Sequence, residues 1–371
     1  EIADGDWSSD VCSSDLTPGQ ATETVVQSSH QPTPTAPNGT VQFVWNRTFG
    51  GTGDDVARSV VGAHGDGVLA TGTVNESVWV AHVGSSGETK WQRTYGEGHG
   101  VAIIRDGNGY VVVAGATPGV RVLKIAPSGD TRWSYQVADI GRPTSIVRTA
   151  EGEYVISGFR HSDGWLLKTD RSGATEWSRT FGGQADDIFH TLAPSADGGV
   201  VAAGYSNSGD PSQAPWVLKV DRTGTKEWER LLGIEHDETG GWVESIVRAD
   251  AGGYALTGYR AAGNGVALWK LGTDGKVEWN RTYTRGSGEA LVQQDRGYAI
   301  AGFQTAEVAF LTTDNSGTFR AFRKFGHEGF GHGYSIASTH DDEYVIVGRY
   351  DDPSDSGSSY DALILKLEET S

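Results

Sequence analysis

Two carboxylate pairs have types and spacing that could do chemistry. The run Gly-Gly-x-x-Asp-Asp occurs at residues 50–55 and again at 182–187. Adjacent carboxylates on a glycine crossing, close to backbone carbonyls, are the hard oxygen donors that Ca²⁺ takes. Asp54, Asp55, Asp186 and Asp187 therefore form the candidate cation site, without the ligand spacing of an EF-hand. The competing reading of the same residues is turn chemistry, in which Asp side chains cap nearby backbone N–H groups. Histidines gather at similar crossings, as His99, His236, His327 and His332, with His190 on the run that follows Asp187. Imidazoles converging beside a carboxylate such as Asp237 supply a transition-metal donor set; solvated loop histidines are the alternative. Glu289 stands at a position that is otherwise small, so it is either paired with a neighbour or functional. The candidate ligand-binding set is thus Asp54, Asp55, Asp186, Asp187, His190, Glu289 and His332. No nucleophile–base pairing can be read, because a triad is a matter of geometry and not of spacing.

What must position these residues is a repeat. A Trp-x-Arg-Thr-aromatic run or a close variant begins at Trp45, Trp91, Trp133, Trp177, Trp228 and Trp279, and a seventh copy has Ala321 at the Trp position. The spacings are 46, 42, 44, 51, 51 and 42 residues. Two further markers also occur seven times: an apolar run such as GWLLKT (164–169) or PWVLKV (215–220), and a Gly closing a β-rich run, at Gly72, Gly115, Gly158, Gly204, Gly258, Gly302 and Gly348. Each copy holds four short runs rich in Val, Ile, Tyr, Trp and Thr, bounded by Gly, Asp, Asn and Ser. Four strands per unit of this length is a propeller blade. A solenoid would need atypical end repeats to cap it. Here the first Trp run, 41–50, precedes the first full copy, and the last copy ends near Leu367 without a Trp run. The fold expected is all-β, a seven-bladed β-propeller with four antiparallel strands per blade. The N-terminal strand completes the last blade and removes the open edges.

In such a ring strand a lines the central channel and strand d the rim. The d–a crossings and b–c loops share one face; the a–b and c–d hairpins share the other. The c–d turns are uniform (85–87, 171–173, 222–224) and suit Gly at positive φ, whereas the d–a and b–c loops vary, which is where binding sits on a regular scaffold. Thirteen residues before each marker Gly lie Ser59, Ala102, Ser145, Thr191, Ser245, Glu289 and Ser335. Six of these are small, as converging inner strands require. The Trp residues, one per blade, are expected to fill the space between blades.

The chain has 48 acids against 30 bases, a net charge of −18. Six of the acids and none of the bases fall in residues 1–40, so the ring carries 42 acids and 30 bases, or −12. Only nine bases are Lys, and Met is absent; that balance fits a salt-adapted surface. A negative surface lacks the basic footprint that nucleic acid needs. No apolar run approaches the length of a membrane span. Residues 6–16, DWSSDVCSSDL, resemble an in-frame translation of a sequencing adapter and contain the single Cys, Cys12. Residues 1–16 are therefore read as a sequencing artefact, which leaves no cysteine for disulfides or metal. Residues 17–40 are Thr, Ser, Gln and Pro with one charge, Glu23, the composition of a disordered spacer. The ring is expected over 41–371.

The pattern Trp-x-Arg-Thr-Phe-Gly-Gly-x-x-Asp-Asp, then Asp-Gly-Gly-x-Val-x-x-Gly-Tyr, then Trp-x-x-Lys-x-Asp-x-x-Gly, resembles a β-propeller repeat family of surface proteins and lipoproteins in haloarchaea and some bacteria, often labelled PQQ-like. The resemblance covers 41–367. It implies a secreted or surface-anchored protein and brings no catalytic residue set. Quinone-cofactor propellers usually have eight blades and an adjacent Cys pair; this chain has neither, so no quinone is expected. The expectation is a binding or adhesion module, more a binder than an enzyme and a monomer, whose partner is a cell-surface glycan or protein and whose only candidate cofactor is Ca²⁺. The alternatives are an extracellular enzyme acting on glycans at the channel mouth and a structural spacer of the cell envelope.

Overall fold

The computed structural model describes residues 40–50, 53–209, 213–233, 240–261, 264–325, 330–340, 342–351 and 360–370. The adapter-like string, the spacer up to residue 39, and His236, Asp237 and His327 lie outside the described residues. Among the described residues twenty-eight strands, numbered in chain order, form seven four-stranded antiparallel sheets. The innermost strand of each is β2 (Val56–Gly62), β6 (His99–Asp106), β10 (Arg142–Arg148), β14 (Asp187–Pro194), β18 (Gly241–Arg248), β22 (Ser287–Gln294) or β26 (Phe330–His340). Each packs against the next, and β2 packs back against β26, so the ring is closed. Among the described residues no helix is long and apolar enough to cross a membrane.

Closure is made by β1 (Thr40–Phe49), which pairs with β28 (Tyr360–Thr370) as the outer strand of blade 7. The register runs from Thr40 opposite Thr370 to Phe49 opposite Ala362. The strand thus includes Thr40 and the pairing continues past Leu367. Val41 is buried in one core with Leu365 and Leu367 of β28 and Phe310 of blade 6, so the two ends of the chain share an interior.

The recurring Trp has a defined seat. A Cβ built on Gly87, Gly129, Gly173, Gly224, Gly275 or Gly317, each the turn glycine of a c–d hairpin at φ between 77° and 90°, comes within 2.7–3.3 Å of the Trp of the preceding blade. Those rings belong to Trp45, Trp91, Trp133, Trp177, Trp228 and Trp279 in turn. Glycine is required there twice over, by the left-handed backbone and by the indole lying on it. The Nε1 groups of Trp45, Trp91 and Trp177 donate to turn carbonyls of Ser85, Pro127 and Arg222 at 2.9, 3.1 and 3.2 Å. The exception follows from the closure. Blade 6 faces blade 7, whose last two strands come from opposite ends of the chain and share no hairpin. No turn glycine is offered, and the sixth blade carries the buried Ala321, packed with Val41 and Leu367.

The Lys of the apolar run is also structural. Lys124, Lys168, Lys219, Lys270 and Lys366 are all under 10% exposed. They reach Asp106, Glu153 with Glu176, Asp197 with Glu227, Glu278, and Glu343 respectively. A buried ammonium is tolerable only with such partners, so five of the nine lysines are committed inside blades.

Candidate functional site

Every innermost strand carries a β-bulge at one place. The register slips between Ala57 and Ser59, Gly100 and Ala102, Pro143 and Ser145, Phe189 and Thr191, Val243 and Ser245, Gly288 and Ala290, and Gly333 and Ser335. The skipped residues are Arg58, Val101, Thr144, His190, Glu244, Glu289 and Tyr334. A bulge adds an unpaired residue, bends the strand and re-aims a side chain. Seven bulges at one level therefore give the channel a belt of seven side chains. In three blades the small residue after the bulge stitches the ring: Ser59, Ser245 and Ser335 hydroxyls accept the N–H of Ile103, Leu291 and Val60 in the next blade at 3.2–3.3 Å.

This register corrects the reading of Glu289. It does not interrupt the column of small residues; Ala290 occupies that column, opposite Ala301. The a–b hairpin of blade 6 joins Gln294 to Gly297, whereas that of blade 1 joins Gly62 to Val68. A fixed count back from the marker Gly is therefore one residue out in blade 6, and Glu289 belongs to the bulge belt. His332 also lies within β26 and not on a crossing.

The belt is polar and continuous over blades 4 to 7. His190 Nδ1 lies 3.0 Å from the Val243 carbonyl and 3.0 Å from Glu244 Oε2. Thr144 makes the matching contact one blade earlier, donating to the Phe189 carbonyl at 2.7 Å. Burial pulls the His190 pKa down, but the charge and hydrogen bond of Glu244, the Val243 carbonyl and the charge of Glu289 outweigh it, so the net shift is upward. Burial pushes Glu244 up and Glu289 adds to this; His190 and His332 oppose it without cancelling it. Glu289 sits 3.7 Å from His332 Nε2. The His332 ring is held between Phe303, centroid to centroid 4.1 Å, and Tyr334 at 4.4 Å. Arg58 lies over Tyr334 at 5.5 Å, and burial raises the Tyr334 hydroxyl against the opposing charges of Arg349 and Arg58. Aromatic pairs flank the belt in the same blades, with Tyr205 edge-on to His190 and Trp242 stacked on Tyr259 at 4.6 Å. Blades 2 and 3 present Val101 and Thr144 instead.

The carboxylate pairs are divided. Asp54 and Asp186 are exposed, whereas Asp55 and Asp187 are buried at 0% and 1%. Asp187 Oδ2 accepts the Gly183 N–H and the Ser208 hydroxyl, both at 2.6 Å. Asp55 Oδ1 accepts the Asn75 N–H at 2.7 Å, and its own N–H donates to Tyr360. Each buried Asp ties its d–a crossing to a b–c loop. The two pairs stand in blades 1 and 4. Among the described residues no group of three or more His, Cys, Asp or Glu is arranged to hold a metal ion. The structure brings together His190, Glu289 and His332 of the candidate set, and adds Glu244, Tyr334 and Arg58. Their one sequence signal is a variable column in a fixed frame: VARS, HGVA, RPTS, IFHT, WVES, SGEA and HGYS align on the last, small residue.

No protein-family model and no curated protein sequence matches this chain. Solved structures match its fold. The WD40 domain of Neurospora crassa Pan2 superposes with a TM-score of 0.63 at 11% identity, covering 91% of this chain and 97% of that one. Virginiamycin B lyase from Staphylococcus aureus, in a catalytically inactive histidine-to-alanine form with quinupristin, gives 0.62 at 9%, covering 89% and 99%. YCF48 bound to D1 peptide gives 0.56 at 13%, covering 90% and 96%. These likenesses define the class as a β-propeller.

Proposed function

We propose that this protein is a secreted or cell-surface binding module that takes its ligand at the channel mouth on the d–a face, over blades 4 to 7. The observation that carries the reading is the asymmetry of the belt. A purely structural belt would repeat the same small or apolar residue, as the stitching serines nearly do. Instead His190, Glu244, Glu289 and Tyr334 occupy four consecutive blades, flanked by Trp242, Tyr259 and Phe303. Aromatic faces beside a few convergent polar groups are the make-up of a ligand site. YCF48 is bound to D1 peptide and the lyase was solved with quinupristin, which supports a ring of this fold taking an extended or bulky ligand. The acidic, Lys-poor composition and the resemblance of the repeats to surface proteins support an extracellular setting. The test is capture on peptide and glycan arrays by wild type and by a Trp242→Ala/Tyr259→Ala double variant. Capture that survives the double variant undiminished would reject the mouth as the site.

A second reading has one specific observation behind it, the His190–Glu244 pair with both pKa values raised. An imidazole oriented by a carboxylate is acid–base machinery, and the glycan-active enzyme is the matching alternative. Turnover of a glycan captured on the array, lost in His190→Asn while capture persists, would establish it over the binder.

A further inference from the structure

On the face opposite the mouth, and independently of it, we propose that the cleft between blades 7 and 1 binds a small hydroxylated carboxylate, with Arg105 as the group that receives it. The cleft has a volume of about 270 Å³, and its lining includes Gly62, Ala63, Ser85, Arg105, Ser338 and Lys366. Its cause lies in the repeat. The third residue after the small column is Arg105, Arg148, Arg248 and Gln293 in blades 2, 3, 5 and 6. Three of these reach the a–b hairpin of the blade before. Arg105 Nη2 lies 3.1 Å from His64 Nδ1, Arg148 Nε donates to Asp106 Oδ1 at 2.7 Å, and Gln293 Oε1 accepts the Asp250 N–H at 3.0 Å. Blade 1 has Gly62 at this place. Its backbone is not left-handed, and a Cβ built on it meets nothing within 4 Å. Neither a turn nor a close approach requires that glycine. Its effect is a missing side chain, so the space that a long residue crosses elsewhere stays open between blades 7 and 1.

The charge that fits is read from the next blade. Asp106 stands four residues after the small column of blade 2, and its carboxylate is served by Arg148, Lys124 and the Tyr154 hydroxyl. The same place in blade 1 is Ala63. Arg105 holds the position of Arg148, yet among the described residues it has no carboxylate partner. Its one side-chain contact is His64, whose Nε2–H donates to the Gly109 carbonyl at 3.3 Å and whose Nδ1 accepts from Arg105. That contact orients the guanidinium and leaves most of its five N–H donors for a ligand. The described carboxylates of the two hairpins beside the cleft are committed elsewhere: Asp66 to Lys90 at 2.7 Å, Asp342 to Arg296 at 2.9 Å and Glu343 to Lys366 at 3.0 Å. A guanidinium takes a carboxylate through two parallel bonds, and a carboxylate is what this frame already holds in blade 2. The Ser85 and Ser338 hydroxyls and the glycine backbone on the walls suit a hydroxylated body over an apolar one. The volume is at the low end for ligand pockets, about 300 Å³, which calls for a small ligand.

The probe is D-glucuronate, titrated by calorimetry against the folded chain. D-glucose and glucosamine are the neutral and cationic controls, and glucose 6-phosphate is the phosphate arm. Saturable binding of glucuronate is expected, at least tenfold tighter than of glucose or glucosamine. Arg105→Gln should weaken it at least tenfold. Gly62→Gln places in blade 1 the residue type that blade 6 carries, so it should fill the cleft and abolish binding with the melting temperature kept. Arg148→Gln, whose guanidinium is already paired with Asp106, should leave binding unchanged. Each variant is checked by thermal melting; should Gly62→Gln not fold, Arg105→Gln against Arg148→Gln still decides. Absence of glucuronate binding, equal binding of glucuronate and glucose, or binding unmoved by Arg105→Gln overturns the proposal. Binding that survives in a folded Gly62→Gln chain overturns the cleft as its place. Tighter binding of glucose 6-phosphate than of glucuronate overturns the carboxylate in favour of a phosphate.

Discussion

The contact of each rim Trp with the next blade's turn glycine makes a stability prediction that can be worked through. In Gly275→Ala the new Cβ falls 2.7 Å from Trp228 Cζ3 on a backbone at φ 77°. A left-handed non-Gly residue costs roughly 1–2 kcal/mol. The displaced indole adds a packing loss of about 1–3 kcal/mol, for a total of roughly 2–5 kcal/mol. Gly107→Ala is the internal control. It shares the left-handed backbone, φ 55°, but its Cβ meets nothing within 4 Å, so only the backbone cost of about 1–2 kcal/mol applies. Denaturant unfolding of both variants, repeated in a Trp228→Ala background, gives the coupling directly. The excess cost of Gly275→Ala should vanish once Trp228 is gone. An equal cost at the two glycines, or an excess that persists without the indole, would refute the assignment of the Trp to this seat.

Removing residues up to 49 should open blade 7 and expose the edge of β28, with a large drop in melting temperature and a tendency to associate; an unchanged melting curve would contradict closure by β1. Ala321→Trp should destabilise by about 1–3 kcal/mol in spite of restoring the repeat, because the buried site has no turn glycine to receive the ring. Asp187→Ala should cost about 1–3 kcal/mol by stranding the Gly183 N–H and the Ser208 hydroxyl, to the same extent with calcium or with chelator; a calcium-dependent cost would instead favour Asp186 and Asp187 as a cation site. His190 has a raised folded pKa, so its contribution is complete below the unfolded value of about 6.5 and is lost as pH rises through the folded value. Glu244, also raised, changes stability in the same direction. The unfolding free-energy gap between wild type and His190→Asn should therefore narrow from pH 6 to pH 9, and a pH-independent gap would contradict the ion pair.

The sequence by itself determined the ring. Period, blade number, strand order and closure all follow from local patterns, because each blade repeats the same alternation of β-rich runs and glycine turns. Even Ala321 was visible as the one copy without Trp, although its cause became clear only once blade 7 was seen to lack a hairpin. The buried Lys and the turn glycines also stood in the repeat as fixed letters. The site was legible only in part. His190, Glu289 and His332 could be singled out as chemical residues, but Glu244 and Tyr334 carry only the signal of a variable column in a fixed frame. Counting along the chain put Glu289 in the wrong column, because hairpin lengths differ between blades and a bulge shifts register without a sequence mark of its own. Asp55 and Asp187 stood open between cation ligand and turn cap, and in the structure both accept backbone N–H groups, since whether a carboxylate faces solvent or a backbone N–H depends on the loop that folds over it. The pairing of His190 with Glu244, and of Glu289 with His332, joins residues 54 and 43 positions apart. Only the packing of successive blades brings such strands side by side, and so only the tertiary structure decided which charges meet in the channel.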